Sequence, residues 1–170
     1  MSVAIITDTR QYLTFKLDEE VFALEVANVR EILEMTAMTR VPRVPEYMRG
    51  VINVRGSVVP VLDMRLKFGL SRTETTVNTC IVVVEVNLDD EKTVIGALVD
   101  SVQEVFELEP AQIEPPPRIG TRYDIDCIKG MGKKDERFII ILDIDRLFSA
   151  EELAAVQGQG ADKLDNAVNG

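Results

Sequence analysis

Histidine and tryptophan are absent from this 170-residue chain, and cysteine occurs only twice. Without an imidazole no histidine can serve as general base, nucleophile, metal ligand or phosphoryl acceptor, and the usual hydrolytic triads are removed. The two cysteines, Cys80 and Cys127, lie in apolar, strand-like runs. Two thiols with no histidine make a poor zinc set and read as reduced, partly buried side chains of a reducing cytosol. Aromatics are only 5% of the residues, so apolar mass comes from Val, Ile, Leu and Ala, and the β-branched share favours sheet. Cations are outnumbered, 19 Lys and Arg against 29 Asp and Glu, for a net charge of −10. That balance argues against nucleic acid and against unaided docking to anionic lipid. The strongest apolar run, Phe138 to Leu142, is far short of a bilayer span, and the first residues carry no basic region of a signal peptide. The expectation is a cytoplasmic protein with no direct membrane insertion.

What is present is 46% hydrophobic and organised as hairpins. Tyr12 to Leu17 alternates as a half-buried strand, Asp18 to Glu20 turns, and Val21 to Val26 returns. Cys80 to Val86, the polar turn Asn87 to Lys92, and Thr93 to Val99 repeat the arrangement. Val21–Glu34 aligns without a gap on Val94–Glu107, with identities at Val21/Val94, Val26/Val99, Val29/Val102, Glu31/Glu104 and Glu34/Glu107. Val58–Phe68 resembles Phe138–Phe148 in the same way, each an apolar run followed by Leu-Asp, an Arg and a Phe. The chain therefore reads as an internal duplication of two β lobes, roughly 12–75 and 76–148.

Helical signals are few. Pro45 to Arg49 fits one short turn, and Ile144 to Phe148 a short helix for which Asp143 or Asp145 supplies a cap. Ser149 starts a C-terminal helix with Glu151 and Glu152 in its first turn. Residues 1–11 and 158–170 read as flexible ends. The Pro-rich stretch Glu109 to Arg118 reads as a stiff extended connector, and Gly130 to Lys134 as a hairpin turn with a basic tip. Asp124/Asp126 and Asp143/Asp145 each place two carboxylates roughly 7 Å apart on one strand face, a spacing that could serve acid–base chemistry or hold Mg²⁺. No phosphate-binding loop or activated nucleophile accompanies them, so a small acidic metal-dependent enzyme is the minor alternative, and no cofactor is expected.

The stretch Val51 to Phe68 places a cation, a glycine and a proline inside strand-forming sequence. Arg55-Gly56-Ser57 reads as a tight turn between strands. Pro60 cannot donate to a ladder, so its strand must be an edge there or bend. Arg55 then sits at a rim, either as a surface salt bridge of little worth or as a binding anchor.

Met48–Gly69 resembles the signature of the CheW family, the bacterial chemotaxis coupling proteins. So do Phe22–Glu34, Ile95–Val105 and the close Phe138–Phe148, and the resemblance spans roughly 12–156. It implies a mainly β fold of two SH3-like five-stranded β-barrels around a shared hydrophobic core, with short helices. It implies a non-catalytic adaptor that couples the cytoplasmic tip of methyl-accepting chemoreceptors to the regulatory domain of the histidine kinase CheA, recruited to membrane-associated receptor arrays. The receptor-binding residues carried over are Arg55, Glu31, Val29, Val26, Ile32, Val105 and Cys80, with Arg55 paired to Glu31. Kinase contacts are expected at the barrel ends, with no residues assigned. A same-fold adaptor of a related non-chemotaxis kinase pathway is the alternative. Taken at its given length, the chain is expected to stand alone and not to be a piece of a larger kinase or coupling–receiver fusion.

Overall fold

A computed structural model describes residues 9–88, 90–116 and 127–148. The hairpins read from alternation are all there. The first pairs β1 (Arg10–Leu17) with β2 (Glu20–Glu25), and the second pairs β6 (Cys80–Leu88) with β7 (Glu91–Val99). Two further hairpins, β4 (Met48–Val54) with β5 (Ser57–Asp63) and β10 (Ile128–Lys134) with β11 (Arg137–Leu142), complete the repeated pattern. Single strands β3 (Val29–Glu34) and β8 (Ser101–Leu108) follow the first two hairpins, and β9 (Ile113–Glu114) is a two-residue addition.

These strands form a five-stranded sheet, β3-β6-β7-β5-β4, and a six-stranded sheet, β8-β1-β2-β11-β10-β9. Neither sheet is made from one contiguous half of the chain. The hairpin β1–β2 lies with the strands of the second half, and β6–β7 with those of the first. The contiguous lobes 12–75 and 76–148 are therefore not the units of sheet pairing. The cause is local. After β2 a single 3-10 turn, Val26–Asn28, leads into β3, and after β7 only Asp100 precedes β8. At neither point does the strand turn back on its own sheet, and the chain crosses to the other. Asp100 pins one crossing, accepting at Oδ2 from the Asp18 N–H and from Arg65, each at 2.7 Å.

The duplication itself survives in the register. Val51 faces Pro60 with a bulge between Met48 and Gly50, and Met131 faces Ile140 with a bulge between Ile128 and Gly130. The parallel seam of β5 on β7 sets Val61 against Gly96, and that of β11 on β2 sets Ile141 against Ala23. Ile32 faces Val82 beside a bulge in β3–β6, and Val105 faces Leu13 beside a bulge in β8–β1. Two copies of one arrangement have exchanged hairpins.

Three apolar clusters follow. Ile52, Val59, Val61, Ile81, Val83 and Leu98 fill the concave side of the five-stranded sheet, and Tyr12, Ala23, Leu108, Ile139 and Ile141 that of the six-stranded sheet. Between the sheets lies a larger shared cluster to which both contribute, including Phe15, Phe22, Leu62, Val84 and Leu142. This is the SH3-like double-barrel architecture, with short helices α1 (Met64–Lys67) and α2 (Ile144–Leu147) closing β5 and β11. Because β1 has a barrel interior on one face and the shared cluster on the other, Tyr12, Leu13, Thr14, Phe15 and Leu17 are all buried, where alternation predicts a half-buried strand. Thr14 stays satisfied by spanning the β1–β8 bulge: its hydroxyl donates to the Glu104 carbonyl and accepts from the Glu104 N–H.

Other local expectations shift. Pro45 to Met48 is one hydrogen-bonded turn, with β4 beginning at Met48. The Pro-rich connector is not uniformly extended: Pro110–Gln112 is a capped 3-10 turn and Ile113–Glu114 pairs with β10. Gly130 to Lys134 belongs to strand β10, and the hairpin tip is the acidic Asp135-Glu136. Gly130 is glycine because a Cβ there would lie 2.6 Å from the Ile113 methyl and 2.9 Å from the Glu114 carbonyl oxygen. The expected flexible N-terminal end is shorter than read, because Arg10 and Gln11 pair with Leu108 and Glu107 as the start of β1. Its residues 1–8, the C-terminal helix, residues 158–170 and the Asp124/Asp126 pair lie outside the described residues. No helix among the described residues is long and apolar enough to cross a membrane.

Candidate partner-binding surface

The rim predicted at Arg55 is a two-residue hairpin tip. Val54 pairs with Ser57, and Arg55 and Gly56 take φ of 51° and 88°, the two positive values of a type I′ turn. Gly56 supplies the backbone freedom, and Asn53 closes the turn by accepting the Gly56 N–H at Oδ1, 2.8 Å away. Pro60 fits because Val51 directs its own N–H outward to Thr39, 2.9 Å, so the Val51–Pro60 pair needs no donor from proline. The parallel seam with β7 begins only at Val61.

The tip aims Arg55 back at β3. Its Nε lies 3.2 Å from Glu31 Oε2, with the arginine side chain 84% exposed and the glutamate 26%. The anticipated Arg–Glu pair is present. A shallow depression opens beside it, lined by Arg30, Lys92, Val58 and Val94 as well as the pair itself. Arg30 on β3 grips Glu85 of β6, donating from Nε at 2.8 Å, and Lys92 approaches the same carboxylate at 3.6 Å. Hydrogen bonding to Arg30, reinforced by Lys92, holds the Glu85 carboxyl below its ordinary range. Arg30, Arg55 and Lys92 thus gather on one end of a chain that is acidic overall. Ile32 (44% exposed) and Val58 (66%) add apolar surface.

The remaining predicted residues divide. Val26, Val29 and Cys80 are half-buried and pack against the shared cluster, with Cys80 opposite Glu34 at the head of β6. Val105 is exposed but lies on β8, an edge strand of the other sheet, and is not among the residues that line the depression beside Arg55. There it occupies the register position that Ile32 holds on β3. The counterpart of Glu31, Glu104, also meets a cation from the facing hairpin: Lys134 Nζ at 2.7 Å, stacked 4.1 Å over the Phe106 ring. Phe138, the counterpart of Val58, is exposed as well. The identity Glu31/Glu104 in the self-comparison was the signal for this second pair. Arg30, Lys92, Val58 and Asn53 were missed, because their convergence depends on strand pairing across hairpins.

The aspartate pairs do structural work where described. Asp143 caps α2 by accepting the Asp145 N–H at 3.1 Å, and Asp145 accepts the Asn87 N–H at 2.7 Å. Among the described residues no group of three or more His, Cys, Asp or Glu is placed to hold a metal ion.

A separate charged cluster ties β2 to β10. Glu25 accepts from Arg10 and from Lys129, the latter at 3.0 Å. Burial pushes the Glu25 carboxyl up, but hydrogen bonding and attraction from Lys129 and Arg10 outweigh it, and its pKa ends below the ordinary glutamate value. The unfolded chain therefore binds more protons, and this group's contribution is full above the ordinary value and lost as pH falls through the lowered one. The thermal midpoint of the native protein should exceed that of Glu25→Gln by more at pH 7 than at pH 3.5. Parallel pH dependence of the two midpoints would show that the cluster carries no linkage.

A CheW-like domain matches residues 11–152. The chain is 33% identical over 147 residues to the chemotaxis protein CheW of Klebsiella aerogenes, covering 86% of each, and 32% identical over 140 residues to that of Bacillus subtilis, covering 82% of this chain and 86% of that one. Among solved structures it resembles the scaffolding protein TtCheW from Thermoanaerobacter tengcongensis, with a TM-score of 0.74 and 31% identity over 84% of this chain and 90% of that one. With the duplicated double barrel and the Arg55–Glu31 pair at its rim, the chain belongs to the CheW family.

Proposed function

We propose that this protein is a non-catalytic chemotaxis adaptor that couples the cytoplasmic tip of chemoreceptors to the regulatory domain of the kinase CheA. The observation that carries the receptor side is the Arg55 tip. A guanidinium held in a costly backbone conformation, 84% exposed, with the exposed Val58 beside it and the exposed Ile32 next to Glu31 on β3, offers a charge and apolar surface together. A receptor helix would lay its apolar face over Ile32, Val29 and Val26, with Cys80 and Val105 at the margins of the contact. An adaptor of this kind changes no bond. It raises the local concentration of kinase beside receptor, acts in the cytoplasm at membrane-associated arrays, and passes on receptor state through rigid contacts.

The test is binding of the purified protein to a receptor cytoplasmic-tip fragment and to the kinase regulatory domain, separately and together. Arg55→Ala and Glu31→Lys should each weaken the receptor complex about tenfold or more, as loss of an interface anchor does. Kinase binding should persist. The thermal midpoint should hardly move, because an exposed ion pair contributes little to stability. Variants that unfold would remove the surface assignment, and binding to neither partner would remove the chemotaxis role.

A further inference from the structure

We infer that Asn53 is the positioning residue that presents Arg55 to its partner, an inference that rests on the receptor-facing reading of the Arg55 tip. Left-handed backbone is unfavourable for an arginine, whereas aspartate and asparagine tolerate it because their short polar side chains bond locally. The other hairpin tips follow that preference: Asp18, Asp90 and Asp135 take positive φ there. Among the described residues Arg55 is the one cation at a hairpin tip; Arg43 also takes positive φ, but in the turn between β3 and β4, and Glu136 does so beside Asp135. Its local stabilisation comes from two positions earlier in the chain. Asn53 Oδ1 takes the N–H of Gly56, the second residue of the turn, which has no ladder partner. Gly56 serves the turn by conformation alone, since a Cβ there would meet nothing within 4 Å.

The sister hairpin shows what the tip looks like without this device. Lys133 stands opposite Phe138 as Asn53 stands opposite Val58, and Asp135 takes the place of Arg55. The duplicated scaffold thus makes the same turn with no asparagine where no arginine is displayed. Asn53 and Glu31 act on Arg55 from two directions: one fixes the backbone that carries it, and the other draws its guanidinium toward β3 at 3.2 Å. With the tip closed, the exposed face of the guanidinium has one direction, and a partner meets it already ordered.

The experiment uses the full chain with Asn53→Ala, Asn53→Asp, Arg55→Ala and the double variant Asn53→Ala/Arg55→Ala. Each is titrated against the receptor-tip fragment, and the Arg55 Nε–H resonance is followed by NMR in the free protein. Asn53→Ala should weaken binding about fivefold, the worth of one turn-closing hydrogen bond. Asn53→Asp, which keeps the acceptor, should restore it. In the Arg55→Ala background the alanine at 53 should add no further loss. In the free protein Asn53→Ala should move the Arg55 Nε–H resonance toward that of an unpaired arginine. An unchanged resonance, or an equal loss of affinity in the Arg55→Ala background, would overturn the inference. If Arg55→Ala left affinity untouched, the receptor-facing reading would fail, while the free-protein resonance would still decide whether Asn53 positions Arg55.

Discussion

Asp63→Ala should lower the stability of the protein by about 3–5 kcal/mol, the cost of leaving a buried cation without its partner. Asp63 is fully buried at the end of β5 and accepts from three directions. Arg49 donates to Oδ2 at 2.9 Å from a side chain only 12% exposed. Thr73 donates its N–H to Oδ2 at 3.0 Å and its hydroxyl to Oδ1 at 2.8 Å, fastening the loop after α1. The Arg65 N–H, 3.0 Å from Oδ1, makes the same carboxylate the cap of α1. Removing it strands a guanidinium, a buried hydroxyl and a helix start together. For a domain of this size each kcal/mol moves the midpoint by about 2–4 °C, so the melt should fall by about 10 °C. The internal control is Asp143→Ala. Asp143 holds the corresponding place in the second half but caps α2, while the counterpart of Arg49, Lys129, is engaged with Glu25. Its loss should cost about 1 kcal/mol, the value of a helix cap. Equal effects of the two alanines would show that the Asp63 network is not the origin of the difference.

The contrast between Asp63 and Asp143 also shows what the sequence makes legible. Repeated local patterns were readable because strand alternation, acidic turns and Leu-Asp closures are written in consecutive residues. They gave the hairpins and the duplication, while the double barrel came from the family resemblance. The Arg55–Glu31 pair came from the family resemblance, and the geometry accommodates it. The hairpin exchange was not legible. Pairing rules are the same whether β1–β2 sits beside β10–β11 or beside β4–β5, and only the short crossings at Val26–Asn28 and Asp100 decide between them. The same blindness hid Arg30, Lys92 and Glu85, which meet because β6 and β7 of the second half lie in the sheet of the first. It also made β1 look half-exposed, since alternation cannot reveal a second apolar layer on the far face.

That second layer sets the other large effect, Phe22→Ala, expected to cost about 3–5 kcal/mol. Phe22 is fully buried and stacks on two rings, Phe15 with centroids 5.8 Å apart and Phe68 at 5.1 Å. Phe15 and Phe22 come from the six-stranded sheet and Phe68 from the end of α1, which closes the five-stranded one. The stack therefore bridges the two sheets within the shared cluster, and truncation opens a cavity that neither barrel interior can refill. Calorimetry should show the midpoint of Phe22→Ala lowered by about 10 °C in one transition, because the sheets share that cluster and each has borrowed its central hairpin from the other half of the sequence. Ile139→Ala, confined to the interior of the six-stranded sheet, provides the comparison: it too should destabilise the whole molecule and leave a single transition. Two separated transitions in either variant would mean that the barrels melt independently. A double barrel that melts as one body is what an adaptor needs if a push at the Arg55 end is to be felt at another face. Loss of that cooperativity would remove the mechanical basis for the rigid coupling proposed above.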